Sequence, residues 1–467
     1  MDKTFQLPAS DLTAQMTDAN RRTTDLLKDF DDERWIGGYL EIVNPPLWEV
    51  GHVAFFYEVF MLGVLDGQPF RYKNANELYN SFIVDHRDRW NLPLPPRAET
   101  EQYVQETLER AVTRLGDRDQ DPWETYLYLL AIYHEDMHGE AFMYTRQTQA
   151  DPEPSLGNGN GGAPAAADAA GGGGALPGDV DIPGGSYQFG ASHGASFVYD
   201  NEKWAHAVEV APFSIARAAV TNAEFARFVE DGGYGREQNW SYQGWLWRNR
   251  IGADQPHYQP NLQQWNAQSA KDIRTGAEHP PYWRRAGNGW ERRHFDQWMA
   301  LEPNHPVIHV NWYEAEAYCN WAGRRLPSEV EWEVAASGEP DAGGKALAPA
   351  KRRYPWGEEP PTPEHANLDG GLLNCVDVGA LPAGDSAFGC RQMLGNVWEW
   401  TASPFYPFPG YILDQPYKEY SAPWFGYRRV LRGGAWATRS RMINNNYRNS
   451  FLPERRDIFA GFRTCAP

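Results

Sequence analysis

Over residues 1–150 the apolar positions recur at helical spacing in four runs separated by turn signals. "SDLTAQMTDANRRTTDLLKDF" carries the first run, with Ser10 or Asp11 placed to cap it. "PLWEVGHVAFFYEVFMLGVL" carries the second, with Pro45 and Pro46 where a helix tolerates them. "AETEQYVQETLERAVTRLGD" is amphipathic and stops at Gly116, and "DPWETYLYLLAIYHEDMHGEAFMYTRQ" has Pro122 in its first turn. Four such runs joined by modest loops predict a helical bundle. Residues 157–178, "GNGNGGAPAAADAAGGGGALPG", have the composition of a flexible linker. After them the pattern turns to short strand-like runs with dense turn signals, Trp and Tyr, and no fixed-period repeat. The fold class expected is α+β: helical residues 1–150, linker 151–178, and an irregular strand-rich domain over 179–467.

Composition narrows this picture. At 467 residues the chain is long for a single core, and 42% apolar residues speak for packed structure over disorder. A net charge of −19 argues against nucleic acid as a partner. The most apolar run is broken by Glu49, His52 and Glu58, which favours a buried core helix over a membrane span. The N-terminus shows no basic region followed by an apolar one, so no secretory signal is expected. Cys319, Cys375, Cys390 and Cys465 are widely spaced without C-x-x-C, the usage of reduced, cytoplasmic thiols.

The stretch "YHEDMHGEAF" places His134 and His138 one turn apart on one helix face, able to reach a single metal ion. It also reads H-E-x-x-H, so a zinc-dependent hydrolase, another metalloenzyme and a helix with two packing histidines all stand as readings. The protease reading lacks its third ligand: "GEAFMYTRQ" follows His138, and only Glu153 is available near the linker. His52 lies in the second predicted helix, from which a bundle can bring a third imidazole to the same interior site.

"H-E-D-M-H-G-E", preceded by "NPPLWEVGHVAFF", resembles the helical, DinB-like domain of the ergothioneine-type sulfoxide synthases, which are non-heme iron enzymes. Beyond residue 178, "PVIHVNWYEAEAYCNWAGRRLPSEVEWEVAASG", "YPWGEEPP", "HANLDG", "GCRQMLGNVWEWTASPF", "YRRVLRGGAWA" and "RDIFAGFRTC" resemble the formylglycine-generating-enzyme, or sulfatase-modifying-factor, fold related to C-type lectins. "MINNNYRNSFLPERRD" has no cysteine where the formylglycine-generating oxidases carry a copper-binding pair, so that chemistry is not expected. "GNVWEW" and "LRGGAW" also read as the ties of a loop-rich core.

The resemblance implies an iron(II) enzyme that joins a sulfur or selenium donor to C2 of the imidazole of hercynine, using O2. It assigns the metal to His52, His134 and His138, with Glu140 orienting a ligand. Three imidazoles on one face of an octahedral ion leave three positions open, one each for donor, substrate imidazole and dioxygen. Asn449 matches a hercynine-contacting asparagine, and Met137 stands where a glutamine is usual. Tyr417 and Tyr420 match a proton-donating tyrosine, with Tyr411 behind them. The rival reading from another class is a non-catalytic, lectin-like binding protein.

The donor site departs from the γ-glutamylcysteine-using branch. "RNSF" puts Ser450 and Phe451 where that branch has tryptophan and the aspartate that meets the donor's ammonium group. In "YNSFIVDHRDRWNLPLPPRAET", Arg87 and Arg89 are candidates to clamp an anionic donor, and Asp85, His86 and Asp88 to hydrogen-bond a hydroxylated one. "DRWNLPLP" with "NPPLWE" is similar to a group of relatives that includes the selenoneine synthases, whose donor is a selenosugar.

Overall fold

The computed structural model describes residues 5–40, 42–117, 120–156, 173–250, 276–415, 417–418 and 420–467. The run predicted as a linker falls largely outside the described residues, at 157–172. The class is α+β, as expected.

Four long helices form where the periodicity placed them: α1 (Ala9–Leu27), α2 (Pro46–Tyr57), α3 (Arg97–Leu115) and α4 (Pro122–Gln149). The start of α1 differs from expectation. Its N-cap is Pro8, with no side-chain cap, and Asp11 lies in the first turn, where a negative charge suits the helix dipole. Gly116 ends α3 at φ 55°, and Asp121 caps α4 by accepting from the Glu124 amide. Helix α2 widens into a π-helix over Glu58–Val64, a form that recurs at functional sites. The stretch Pro46–Val64 is long and apolar enough to cross a membrane, yet 83% of its most apolar window is buried inside the molecule. Helix α1 packs on α3 and α4, and α2 packs on α3 and α4. The buried Arg146 guanidinium at the end of α4 grips Asp29 at 2.6 and 2.9 Å and the Leu26 carbonyl at 2.6 Å, tying the ends of α1 and α4.

The chain divides into two compact units that interleave in sequence. One comprises Met1–Gly159, His193–Asp200 and Ile412–Tyr420; the other holds the rest. Thus the contiguous boundaries read from the sequence miss two short stretches that belong with the helices. Within that first unit Tyr126 stacks on Phe197 and donates to Asp414 at 2.9 Å.

The second unit is built from small sheets and short helices. Its four-stranded sheet runs in the order Asn449–Phe451, Arg429–Arg432, Trp398–Pro404, Ala460–Gly461, the last pair parallel. The motifs "GNVWEW" and "LRGGAW" serve the core: Trp398, Trp400 and Trp436 are buried. Gly433 sits at φ 97°, and a Cβ there would meet the Met393 carbonyl at 2.7 Å, so the loop admits only glycine. Buried arginines tie the loops together. Arg463 forks onto Glu399 at 2.6 and 2.7 Å, Arg456 onto Glu314 at 3.1 and 2.8 Å, and Arg432 bridges Glu329 and Glu333 at 2.7 and 2.8 Å. All four cysteines are free and buried.

Candidate metal centre

His52 on α2 and His134 and His138 on α4 converge, as the sequence predicted. Their ligand atoms all lie within 4.8 Å of one another, and among the described residues this is the group able to hold a metal ion. His134 Nε2 and His138 Nε2 are 3.2 Å apart. Two nitrogens bound at ~2.1 Å to one ion, at right angles, stand about 3.0 Å apart, so the spacing fits a shared cation.

The other ring nitrogens set the tautomers. His52 Nδ1 faces the Tyr79 carbonyl at 2.7 Å and donates to it, leaving Nε2 for a metal. His138 Nδ1 lies 2.5 Å from Glu49 Oε1. His134 Nδ1 is buried without a partner, and its ring is held by packing alone, stacked on Phe56 at 3.7 Å and 8°. Burial pushes the His52 and His134 pKa values well below the usual imidazole range, and His138 beside them adds to the shift. Both are therefore neutral at neutral pH, the form that binds metal. A set of three imidazole ligands suits a borderline ion such as iron(II) or zinc.

Glu49 and Tyr79 escaped the sequence reading, as did the orienting role on His138, which Glu49 fills. A signal was present: Glu49 is a carboxylate one turn before His52 in an apolar helix, and a buried charge needs a partner. Gly51 makes the arrangement possible. A Cβ there would lie 2.2 Å from the Tyr79 ring, so only glycine lets Tyr79 pack close enough to present its carbonyl to His52.

The hydrolase reading of H-E-x-x-H fails on geometry. Glu135, the would-be general base, is buried and accepts hydrogen bonds from Thr23 Oγ1 and Tyr57 Oη, each at 2.9 Å. That carboxylate is engaged in the helix packing.

Tyr417 and Tyr420 belong to the same unit as the histidines. The Tyr417 ring stands edge-on to His134, with centroids 6.1 Å apart, and against Phe56 and Phe60. Tyr420 stacks on Tyr199 at 4.4 Å, and its hydroxyl lies 4.0 Å from Met137 Sδ. Tyr411 belongs to the other unit, with its ring on Phe425. Asn449, Ser450 and Phe451 form an edge strand of that second unit; Asn449 Oδ1 accepts from the Ser450 amide at 2.8 Å, and Arg455 covers the Phe451 ring at 4.8 Å. Arg87 is exposed. Arg89 is not the loop clamp expected: it is buried and spends its guanidinium inside the helical unit, on Asn44, Ser81 and Val84.

Comparison with known proteins accords with this geometry. Residues 167–466 match the sulfatase-modifying factor enzyme 1-like domain. A hercynine oxygenase of Mycolicibacterium thermoresistibile is 36% identical over 97% of this chain and 94% of its own length. One from Mycobacterium tuberculosis is 37% identical over 97% of both chains. A formylglycine-generating enzyme of Streptomyces coelicolor is 33% identical over 62% of this chain and 88% of its own.

Proposed function

We infer from the chain's place in the hercynine oxygenase family, to which it belongs over nearly its full length, that it is an iron(II)- and O2-dependent enzyme acting on hercynine. The reaction proposed joins a sulfur or selenium donor to C2 of the hercynine imidazole. The observation that carries the reading is the convergence of His52, His134 and His138, with their tautomers set, beside Tyr417.

When bound, iron(II) supplies open coordination positions and an electron source for dioxygen. The protein's part is to hold and orient. The Tyr79 carbonyl and the Glu49 carboxylate fix two imidazoles with their Nδ1 protons turned away from the ion. The Phe56 ring against His134 keeps water from one side of the site. Of the two tyrosines, Tyr417 is taken as the proton donor, because its ring stands against a metal ligand while the Tyr420 ring stacks on Tyr199. Asn449 is assigned to the hercynine side by its place in "YRNSF".

The donor is proposed to lack the ammonium group of γ-glutamylcysteine at the position of Phe451. Phe451 offers no carboxylate to an amine, where the γ-glutamylcysteine-using branch has its aspartate, and the Arg455 guanidinium over its ring is already forked onto Asp457 at 2.7 and 2.6 Å. A hydroxylated donor, a thio- or selenosugar, has no ammonium group that needs such a carboxylate. Arg87 remains the candidate clamp for donor anions.

The test is a donor competition. Protein loaded anaerobically with iron(II) is given hercynine, O2, cysteine, γ-glutamylcysteine and a thio- or selenosugar, and adducts are weighed by mass spectrometry. A hercynine adduct is expected, its mass naming the donor. Bound iron with no adduct from any donor would overturn hercynine as the acceptor.

A further inference from the structure

Arg89 is 9% exposed and carries a full charge into the helical unit. Its hydrogen bonds go to neutral oxygens: Nη1 to Asn44 Oδ1 at 2.5 Å, and Nη2 to the Ser81 and Val84 carbonyls at 3.2 Å each. No ion pair neutralises it among the described residues. The guanidinium carbon lies over the Trp48 ring, 4.0 Å from its centroid. His52 stacks on the same indole at 4.8 Å and 10°. Trp48 itself is immobilised by donating Nε1 to the Leu78 carbonyl at 2.7 Å, one residue before the carbonyl that holds His52. The indole therefore joins a guanidinium to a metal ligand, and the contact is dry: Trp48 is 1% and His52 6% exposed.

We propose that Arg89 is a positioning residue for the metal centre, whose charge, relayed across Trp48, biases the bound iron toward the ferrous state. The proposal rests on the iron reading above. A fixed positive charge held two ring-widths from a ligand opposes any further positive charge on the ion, and so disfavours iron(III) relative to iron(II). Glu49 acts in the opposite sense through His138, since a carboxylate enriches the ring it holds. The pair sets His52 as the electron-poor ligand and His138 as the electron-rich one. A centre biased in this way keeps its resting iron reduced in air until the substrates arrive.

The test separates this role from both a donor clamp and a structural tie. Arg89→Met keeps the length and apolar stem but removes the charge. Cobalt(II), used as probe without any substrate, should bind the variant on the order of tenfold more tightly than the parent, because a buried repulsion is gone. A purely structural role predicts the opposite sign, since the loosened Trp48 would leave His52 poorly held. In iron-loaded protein, a mediated redox titration read by electron paramagnetic resonance should show the ferric-to-ferrous ratio of the variant raised about tenfold at the parent's midpoint, equivalent to ~59 mV for one electron. Arg21→Met, at an exposed position of α1, serves as the comparison and should leave both readings unmoved.

Cobalt affinity that is unchanged or weaker in Arg89→Met, or a midpoint within twofold of the parent's ratio, overturns the proposal. If the methionine variant does not fold, Arg89→Lys is read instead. It keeps the charge and loses the fork, so its ferric-to-ferrous ratio should stay within twofold of the parent's; a tenfold change there overturns the proposal equally. A parent protein that takes up cobalt but holds no redox-active iron fails the iron reading itself, before any variant is compared.

Discussion

Replacing Glu49 tests how far the metal centre depends on a group that never touches the metal. Glu49 is 1% exposed, and its Oε1 lies 2.5 Å from His138 Nδ1. Glu49→Gln keeps the volume and an oxygen able to accept the Nδ1 proton, but removes the charge that strengthens the bond roughly twofold. Glu49→Leu removes the bond. Partners of this kind are worth about 10–100-fold in metal affinity, or roughly 1.4–2.8 kcal/mol. Glutamine should fall near the lower end and leucine near the upper, because leucine frees the His138 ring to rotate and to carry its proton on the nitrogen meant for the metal. The assay is competition between protein and a chromophoric chelator for cobalt(II), with metal-free melting curves to show that each variant folds. If Glu49→Leu is folded and binds cobalt within twofold of the parent, the orienting role is refuted and the pair is mere packing.

Gly51→Ala should lose about 1–3 kcal/mol of stability, because the new methyl would sit 2.2 Å from the Tyr79 ring in a core shared with Trp48, Phe55 and Tyr103; a melting curve superposable on the parent's would contradict it. Glu333→Gln should cost about 3–5 kcal/mol in denaturant unfolding, since it strips a buried charge partner from Arg432 and Lys351; a loss below 1 kcal/mol would show that Glu329 suffices alone. Glu202 is buried, its Oε1 has no partner, and burial raises its pKa to about 8 despite nearby Arg432, Lys203 and Arg448. Between the unfolded value near 4.3 and about 8, the folded state therefore holds a proton that the unfolded state lacks, so this group's contribution to stability falls as pH rises through that window. Glu202→Gln should abolish that slope, its advantage over the parent growing toward pH 8 by up to ~1.4 kcal/mol per unit; parallel stability–pH curves for the two proteins would contradict it.

The helical half was legible because burial there is periodic: each long helix hides one face or the whole of itself, and the terminal signals at Pro46, Gly116 and Pro122 are local. The metal triad was legible for a related reason. An i, i+4 histidine pair is a local geometric statement, and a bundle leaves one interior direction for a third imidazole. What stayed hidden were contacts made across the fold. An apolar helix around Glu49 says that its carboxylate needs a partner but not that the partner is His138, and the Arg89–Trp48 contact joins residues 41 positions apart. Arg89 was read as a loop charge because its loop is polar in sequence; burial is a property of what folds over it. The second unit resisted element prediction for another reason. Its short strands and loops are tied by buried arginine–glutamate pairs, which leave no hydrophobic period to read.

The interleaving of the helical unit has a consequence for how the protein is made. A ribosome completes His52, His134 and His138 early, whereas Tyr417 follows His138 by about 280 residues. At the usual elongation speed of roughly 5–20 residues per second, that lag is about fifteen seconds to a minute. For that interval the nascent chain carries all three histidines and lacks both tyrosines, so the order of synthesis alone lets metal acquisition precede completion of the site.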